Sequence, residues 1–293
     1  MGQLFGKDFL WGAATSAYQI EGSPVRHGGG KSVWDTFCTL PGRTWRGQSG
    51  YYGCMHYEHM EQDVQLMKEL GLQSYRFSIS WPRVLPNGRG RVNHEGLDFY
   101  SRLTDQLLKA GIKPMVTLFH WDYPHELFLD GGWMNPDSPL WFRDYTEVMV
   151  KHLSDRVTTW ITLNEPQCCV GGHGNGHHAP GLTLDGASMA RLMHHVLLSH
   201  GRAVEAIREH GPSGTKAGYA PVGITAIPSS DSRDAIDAAW KHMEHIHDLS
   251  PAGLAWNNSV WMDPVFLGSY PEAYLDKYRS YLPDTLEQDL GVI

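Results

Sequence analysis

Three observations on this sequence predict an α/β fold, an eight-stranded (β/α)8 TIM barrel with about the first five strand-helix units present. Short β-rich runs alternate with helical patterns, as in a parallel sheet covered by helices. Polar residues gather after the strand runs, where such a barrel carries its working groups on the following loops. No Gly-rich phosphate loop follows any run, which weighs against an open doubly wound sheet. With 293 residues, 41% of them hydrophobic and 19% charged, the chain has the means to bury a large core.

The first strand is expected within Phe9 to Ile20, the second over Ser74 to Trp81, and the third over Pro114 to Trp121. The fourth is expected over Thr158 to Leu163 and the fifth near Ala217 to Ile227. Between them, Met60, Val64 and Met67 form a helical stripe that Gly71 can stop, because glycine accepts the left-handed conformation at a helix C-terminus. Tyr100, Leu103 and Leu107 form another, with Asn93 placed to cap it and Gly111 to end it. Phe142, Tyr145, Met149 and Leu153, then Met189, Leu192 and Val196, repeat the pattern and read as core. No repeat, low-complexity tract or Gly/Ser linker interrupts the alternation, so residues 1–293 are expected to form a single domain.

The net charge of −8, from 24 Lys and Arg against 32 Asp and Glu, argues against a nucleic acid or an anionic membrane as partner and favours a neutral polar small molecule. Eleven Trp and thirteen Tyr offer flat faces that suit sugar rings, although such residues commonly fill cores. The start lacks the apolar stretch of a secretion signal, and no run approaches the ~20 apolar residues that span a bilayer. Cys38, Cys54, Cys168 and Cys169 show no paired framework. A cytoplasmic protein with free thiols is the expectation.

Gln19 and Glu21 follow the first strand run, His120 and Asp122 the third, and Asn164 and Glu165 the fourth. Singly, each has a plain structural explanation: a solvated Glu, a satisfied core His, an Asn or Gln serving a turn. Their common placement after successive strands makes them candidates together. Arg76 stands inside an apolar strand, where a guanidinium needs a carboxylate partner. The 17 His include His177-His178 and His194-His195 pairs, but none has the spacing of a metal-binding helix motif, so no metal site is expected.

Ordered segments across nearly the whole chain resemble glycoside hydrolase family 1, the β-glucosidase family. They are Phe9 to Gly22, Tyr75 to Arg83, Val116 to Asp122, Gly131-Gly132-Trp133, Thr162-Leu163-Asn164-Glu165-Pro166, His178 to Gly181 and Trp261 to Phe266. The resemblance implies a barrel that hydrolyses β-linked glucosides or oligosaccharides with retention and without a cofactor. It places the acid/base on Glu165, sugar-binding positions on Gln19, His120, Trp121 and Asn164, and the arginine that holds the nucleophilic carboxylate on Arg76. The types suit the chemistry. A carboxylic acid must protonate the glycosidic oxygen while a second carboxylate about 5 Å away attacks the anomeric carbon, and amide and imidazole groups can grip the hydroxyls.

The family carries its nucleophile in a Thr-Glu-Asn-Gly run on the seventh strand, and that run is absent here. Five strands leave two unpaired edges and an apolar interior uncovered. The chain is therefore expected to be a truncated barrel, inactive alone, that calls for a complementary C-terminal fragment or self-association. The alternative expectation is a non-catalytic sugar-binding remnant. Met55, Gln167 and Ile227 also depart from the family pattern, which has an acidic residue, a Trp and an Asn there.

Overall fold

A computed structural model describes residues 5–6 and 8–293. Five parallel strands lie in the order β1-β2-β3-β4-β5: Gly12–Ala14, Ser74–Ser78, Lys113–Phe119, Thr159–Asn164 and Lys216–Ala220. Ala13 pairs with Tyr75, Arg76 with Met115, Val116 with Trp160, and Trp160 with Ala217, so each strand lies beside the next in sequence. The principal helices are α1 (Ala17–Ile20), α2 (His56–Glu69), α3 (His94–Lys109), α4 (Ser138–Leu153), α5 (Pro166–Asn175), α6 (Gly186–His210), α7 (Arg233–Glu244) and α8 (Asn258–Leu267). The helices alternate with the strands in the arrangement of a partial (β/α)8 barrel. None of the helices described is long and apolar enough to cross a membrane.

The expected stripes are core. Phe142, Tyr145, Met149 and Leu153 are buried on α4, Met189, Leu192 and Val196 on α6, and Tyr100, Leu103 and Leu107 on α3. On α2 the stripe is narrower, with Met60 and Val64 buried and Met67 only partly so. Gly71 and Gly111 both take the left-handed conformation just past their helices. In each case the next amide turns back to the helix, Leu72 to the Met67 carbonyl and Ile112 to the Leu107 carbonyl, which closes the last turn. Trp81 stacks on Tyr145 at 4.8 Å and packs against Phe142 and Trp133, joining the end of β2 to α4.

Several boundaries differ from expectation for identifiable reasons. β2 ends at Ser78, because Pro82 in the second position of a short helix, Trp81–Val84, presets helical backbone there. β3 ends at Phe119, so His120 and Trp121 lie beyond the strand. β5 stops at Ala220, and Ile227 is exposed in the loop that follows. Asn93 does occupy the position before α3, yet its side chain does not cap the helix. It donates instead to the carbonyls of His27 and Arg83, both at 2.9 Å.

The sheet is open. Among the described residues, β1 pairs only with β2, and β5 only with β4. All of β1 and the Lys216-Ala217 end of β5 are exposed.

Candidate active site

Asn164 closes β4 and is almost fully buried. Three neighbours converge on it. Its Oδ1 accepts from an Arg76 terminal nitrogen at 2.8 Å, its Nδ2 meets His120 Nε2 at 3.0 Å, and its carbonyl accepts from Trp121 Nε1 at 2.8 Å. This one residue thus ties the middle of β2 and the segment after β3 to the end of β4. Trp121 reaches its carbonyl partner with a left-handed backbone, φ 76°, a conformation that costs a non-glycine residue roughly 1–2 kcal/mol.

His120 is held in a defined protonation state. Burial, followed by the positive charge of Arg76, lowers its pKa to about 4, so the imidazole is neutral near pH 7. With the Asn164 amide donating to Nε2, the proton resides on Nδ1, and Nδ1 is buried with no partner. Arg76 Nε is buried and unpartnered as well, and among the described residues no carboxylate pairs with this guanidinium. The carboxylate that the sequence demanded for Arg76 is therefore replaced by the neutral oxygen of Asn164.

Glu165 follows directly, at the strand-to-helix turn. Its backbone is left-handed (φ 44°, ψ 63°), its N–H donates to the Ala220 carbonyl of β5 at 2.7 Å, and its own carbonyl receives the Cys168 amide at 3.0 Å. Pro166 at the first helical position suits the start of α5. The side chain is half-buried beside Cys168, whose thiol is pushed up to about 12 by burial and then by the Glu165 charge. Gln19 lies apart from this network, exposed on α1.

Two residues expected at the rim are buried. Glu21 accepts from Arg83 Nε at 2.9 Å and from the Tyr100 hydroxyl at 2.9 Å, which places it in an enclosed ion pair. Asp122 is 1% exposed, and neither of its carboxylate oxygens has a partner. Burial pushes its pKa up to about 8; the nearby Ser80 side chain opposes the rise, and the negative charge of Glu21 adds to it. The sequence hid this group, because an acidic residue after a strand reads as solvent-facing. The apolar residues around it, Phe119 before and Tyr123 after, were the available signal.

The histidines of α6 also spend their rings on the fold. His194 bridges the Tyr270 hydroxyl and Asp289, each at 3.1 Å, His195 bonds the Trp133 carbonyl, and His200 bonds Thr162 Oγ1 at 2.7 Å. Among the described residues no three His, Cys, Asp or Glu side chains are grouped to hold a metal ion.

The family model for glycosyl hydrolase family 1 matches residues 1–293. Beta-glucosidase A of Thermotoga maritima is 42% identical over 290 residues, covering 99% of this chain and 62% of that protein. The 1,4-beta-D-glucan glucohydrolase of Thermotoga neapolitana is 40% identical over 290 residues, with 99% and 65% covered. Among solved structures, the family 1 β-glucosidase from T. maritima superposes with a TM-score of 0.85 at 42% identity, over 98% of this chain and 62% of that one. The same enzyme in complex with glucoimidazole gives a TM-score of 0.86. This chain thus spans 62% and 65% of the length of those two curated relatives.

Proposed function

Since this chain belongs to glycosyl hydrolase family 1, we propose that its strand ends form the acid side of a retaining β-glucosidase site acting on terminal β-linked glucosides. One barrel domain comprises residues 1–293 in this reading. Glu165 is the general acid that protonates the leaving glycosidic oxygen, and Gln19, His120, Trp121 and Asn164 hold the sugar.

The observation that carries the reading is the network on Asn164. It holds a neutral His120 with an unused Nδ1–H, a donor suited to a sugar hydroxyl and fixed by its neighbours before any ligand arrives. Glu165 is set one residue further along on a backbone that β5 pins through Ala220. Retention also needs a carboxylate about 5 Å from the acid, to attack the anomeric carbon. Arg76 Nε is a waiting donor for such a group, and a polypeptide that adds strands at the open edges of β1 and β5 is the means of supplying it. A complementary C-terminal segment is favoured over self-association, because a second copy brings the same acid side again. The guanidinium without a carboxylate supports a second reading, a sugar-binding chain without turnover.

The test is hydrolysis of 4-nitrophenyl β-glucoside by the chain, alone and with the remaining segment of a family relative, alongside Glu165→Gln. Turnover only in the complemented sample, with a loss of at least ~100-fold in the variant, supports the acid role. Equal turnover by the variant overturns it. Sugar binding without turnover in the complemented sample selects the second reading.

A further inference from the structure

The seam between β4 and β5 is irregular just before the proposed acid. Its register shifts between Ile161 and Asn164, and the chain leaves the sheet at the left-handed Glu165. Up to that point the rungs run between backbones, from the Lys216 amide to the Thr158 carbonyl at 2.8 Å and from the Glu165 amide to the Ala220 carbonyl at 2.7 Å. In a parallel ladder the next rung joins the Val222 amide to the Glu165 carbonyl, because a residue bonds to both residues that flank its partner. That carbonyl is already committed. The amides of Cys168 and Cys169 donate to it, at 3.0 and 3.3 Å, as α5 begins.

A side chain supplies the rung instead. Gln167 Oε1 accepts from the Val222 amide at 3.2 Å, and Gln167 is 1% exposed. Just beyond Val222 the chain is braced from α8, where the Asn258 side chain accepts from the Ile224 amide and donates to the Ile224 carbonyl, both at 2.9 Å. The rung therefore ends on a held partner. The Trp of the family pattern at this position offers only an N–H donor and cannot accept from an amide.

We propose that Gln167 is a positioning residue for Glu165: its amide oxygen extends the β4–β5 seam past the turn and keeps the acid seated on β5. The inference rests on the assignment of Glu165 as the acid. Two rungs bracket the turn, the Ala220 bond at the Glu165 amide and the Val222 bond two residues on, so the turn leaves β5 only when both break.

Gln167→Met tests it, because Met keeps the length of the side chain and lacks the amide oxygen. Amide hydrogen exchange on the full chain, followed by NMR, is expected to quicken roughly tenfold at Val222 and Glu165, while Val116 and Leu118 in β3 keep their rates within about twofold. With the chain complemented by the remaining segment of a family relative, the same variant should lower kcat/KM about tenfold for phenyl β-glucoside, whose leaving oxygen needs the acid. The loss should stay under about twofold for 2,4-dinitrophenyl β-glucoside, whose leaving group departs unprotonated. Unchanged exchange at Val222 and Glu165, exchange quickened alike in β3, or an equal loss on both glucosides overturns the inference alone. If Glu165→Gln shows no such dependence on the leaving group, or the complemented chain has no turnover, the acid reading fails and takes this one with it.

Discussion

Replacing Asp122 with Asn should change the pH dependence of stability in a way that few single substitutions would. The Asp122 carboxyl is enclosed, and burial raises its pKa to about 8 against an ordinary value of 3.8, with the Ser80 side chain opposing the shift. The groups whose charges act on it include Glu21 and Asp35, which reinforce the shift. A folded-state pKa above the unfolded value means that the native state binds the extra proton. Stability is therefore full below about pH 4 and is lost as pH rises through the window from there to about 8. Each pH unit inside that window is worth about 1.4 kcal/mol, so the loss between pH 5 and pH 8 is about 4 kcal/mol. Asn carries no titrating proton and removes this term. Urea unfolding of both proteins at half-unit steps from pH 5 to 9 measures it, and the difference between their unfolding free energies should grow by about 4 kcal/mol toward high pH. A difference that stays constant within about 1 kcal/mol would refute the claim that Asp122 is neutral in the fold.

Two further outcomes follow from groups elsewhere. His200, whose pKa burial and then Arg208 lower to about 4, is neutral in the fold. Its contribution is complete above the unfolded value near 6.5 and is lost as pH falls from there toward 4, by about 3 kcal/mol in all. Extended down to pH 4, the same urea series should show a flatter acid limb for His200→Gln, with the alkaline limb intact. Met55 precedes α2 with a left-handed backbone, φ 55°, and no capping bond from its side chain. Met55→Gly relieves that strain and should raise thermal stability by about 1 kcal/mol, read as an increase in Tm by calorimetry.

Much of this architecture is legible in the sequence because its causes are local. The stripe on α4 follows from four apolar residues at helical spacing, and Gly71 and Gly111 mark helix ends because little else tolerates their backbone. The start of α5 is written in Pro166. What the sequence concealed depends on partners far away in the chain. Trp121 looks like one more strand residue, and only its bond to the Asn164 carbonyl, 43 positions on, explains why the chain turns before it. Glu21 resembles a rim carboxylate until Arg83, 62 residues later, claims it in the interior. Asn93 was placed correctly, but its acceptors, the carbonyls of His27 and Arg83, lie outside the helix it was expected to cap. Among the site candidates, Asn164, His120 and Trp121 are brought into one network, whereas Gln19 stands alone.

The bond from the Glu165 amide to the Ala220 carbonyl joins the proposed acid to a strand that, among the described residues, has a neighbour on one side only. Loosening of β5 from β4 would not stay at the edge. With β5 parted from β4, the turn carrying Glu165 would lose its outer anchor, so the acid is positioned only while this seam is shut. The exchange rate of that one amide proton therefore reports how often the site is assembled, and anything that clamps β5 raises the working population without touching the sugar.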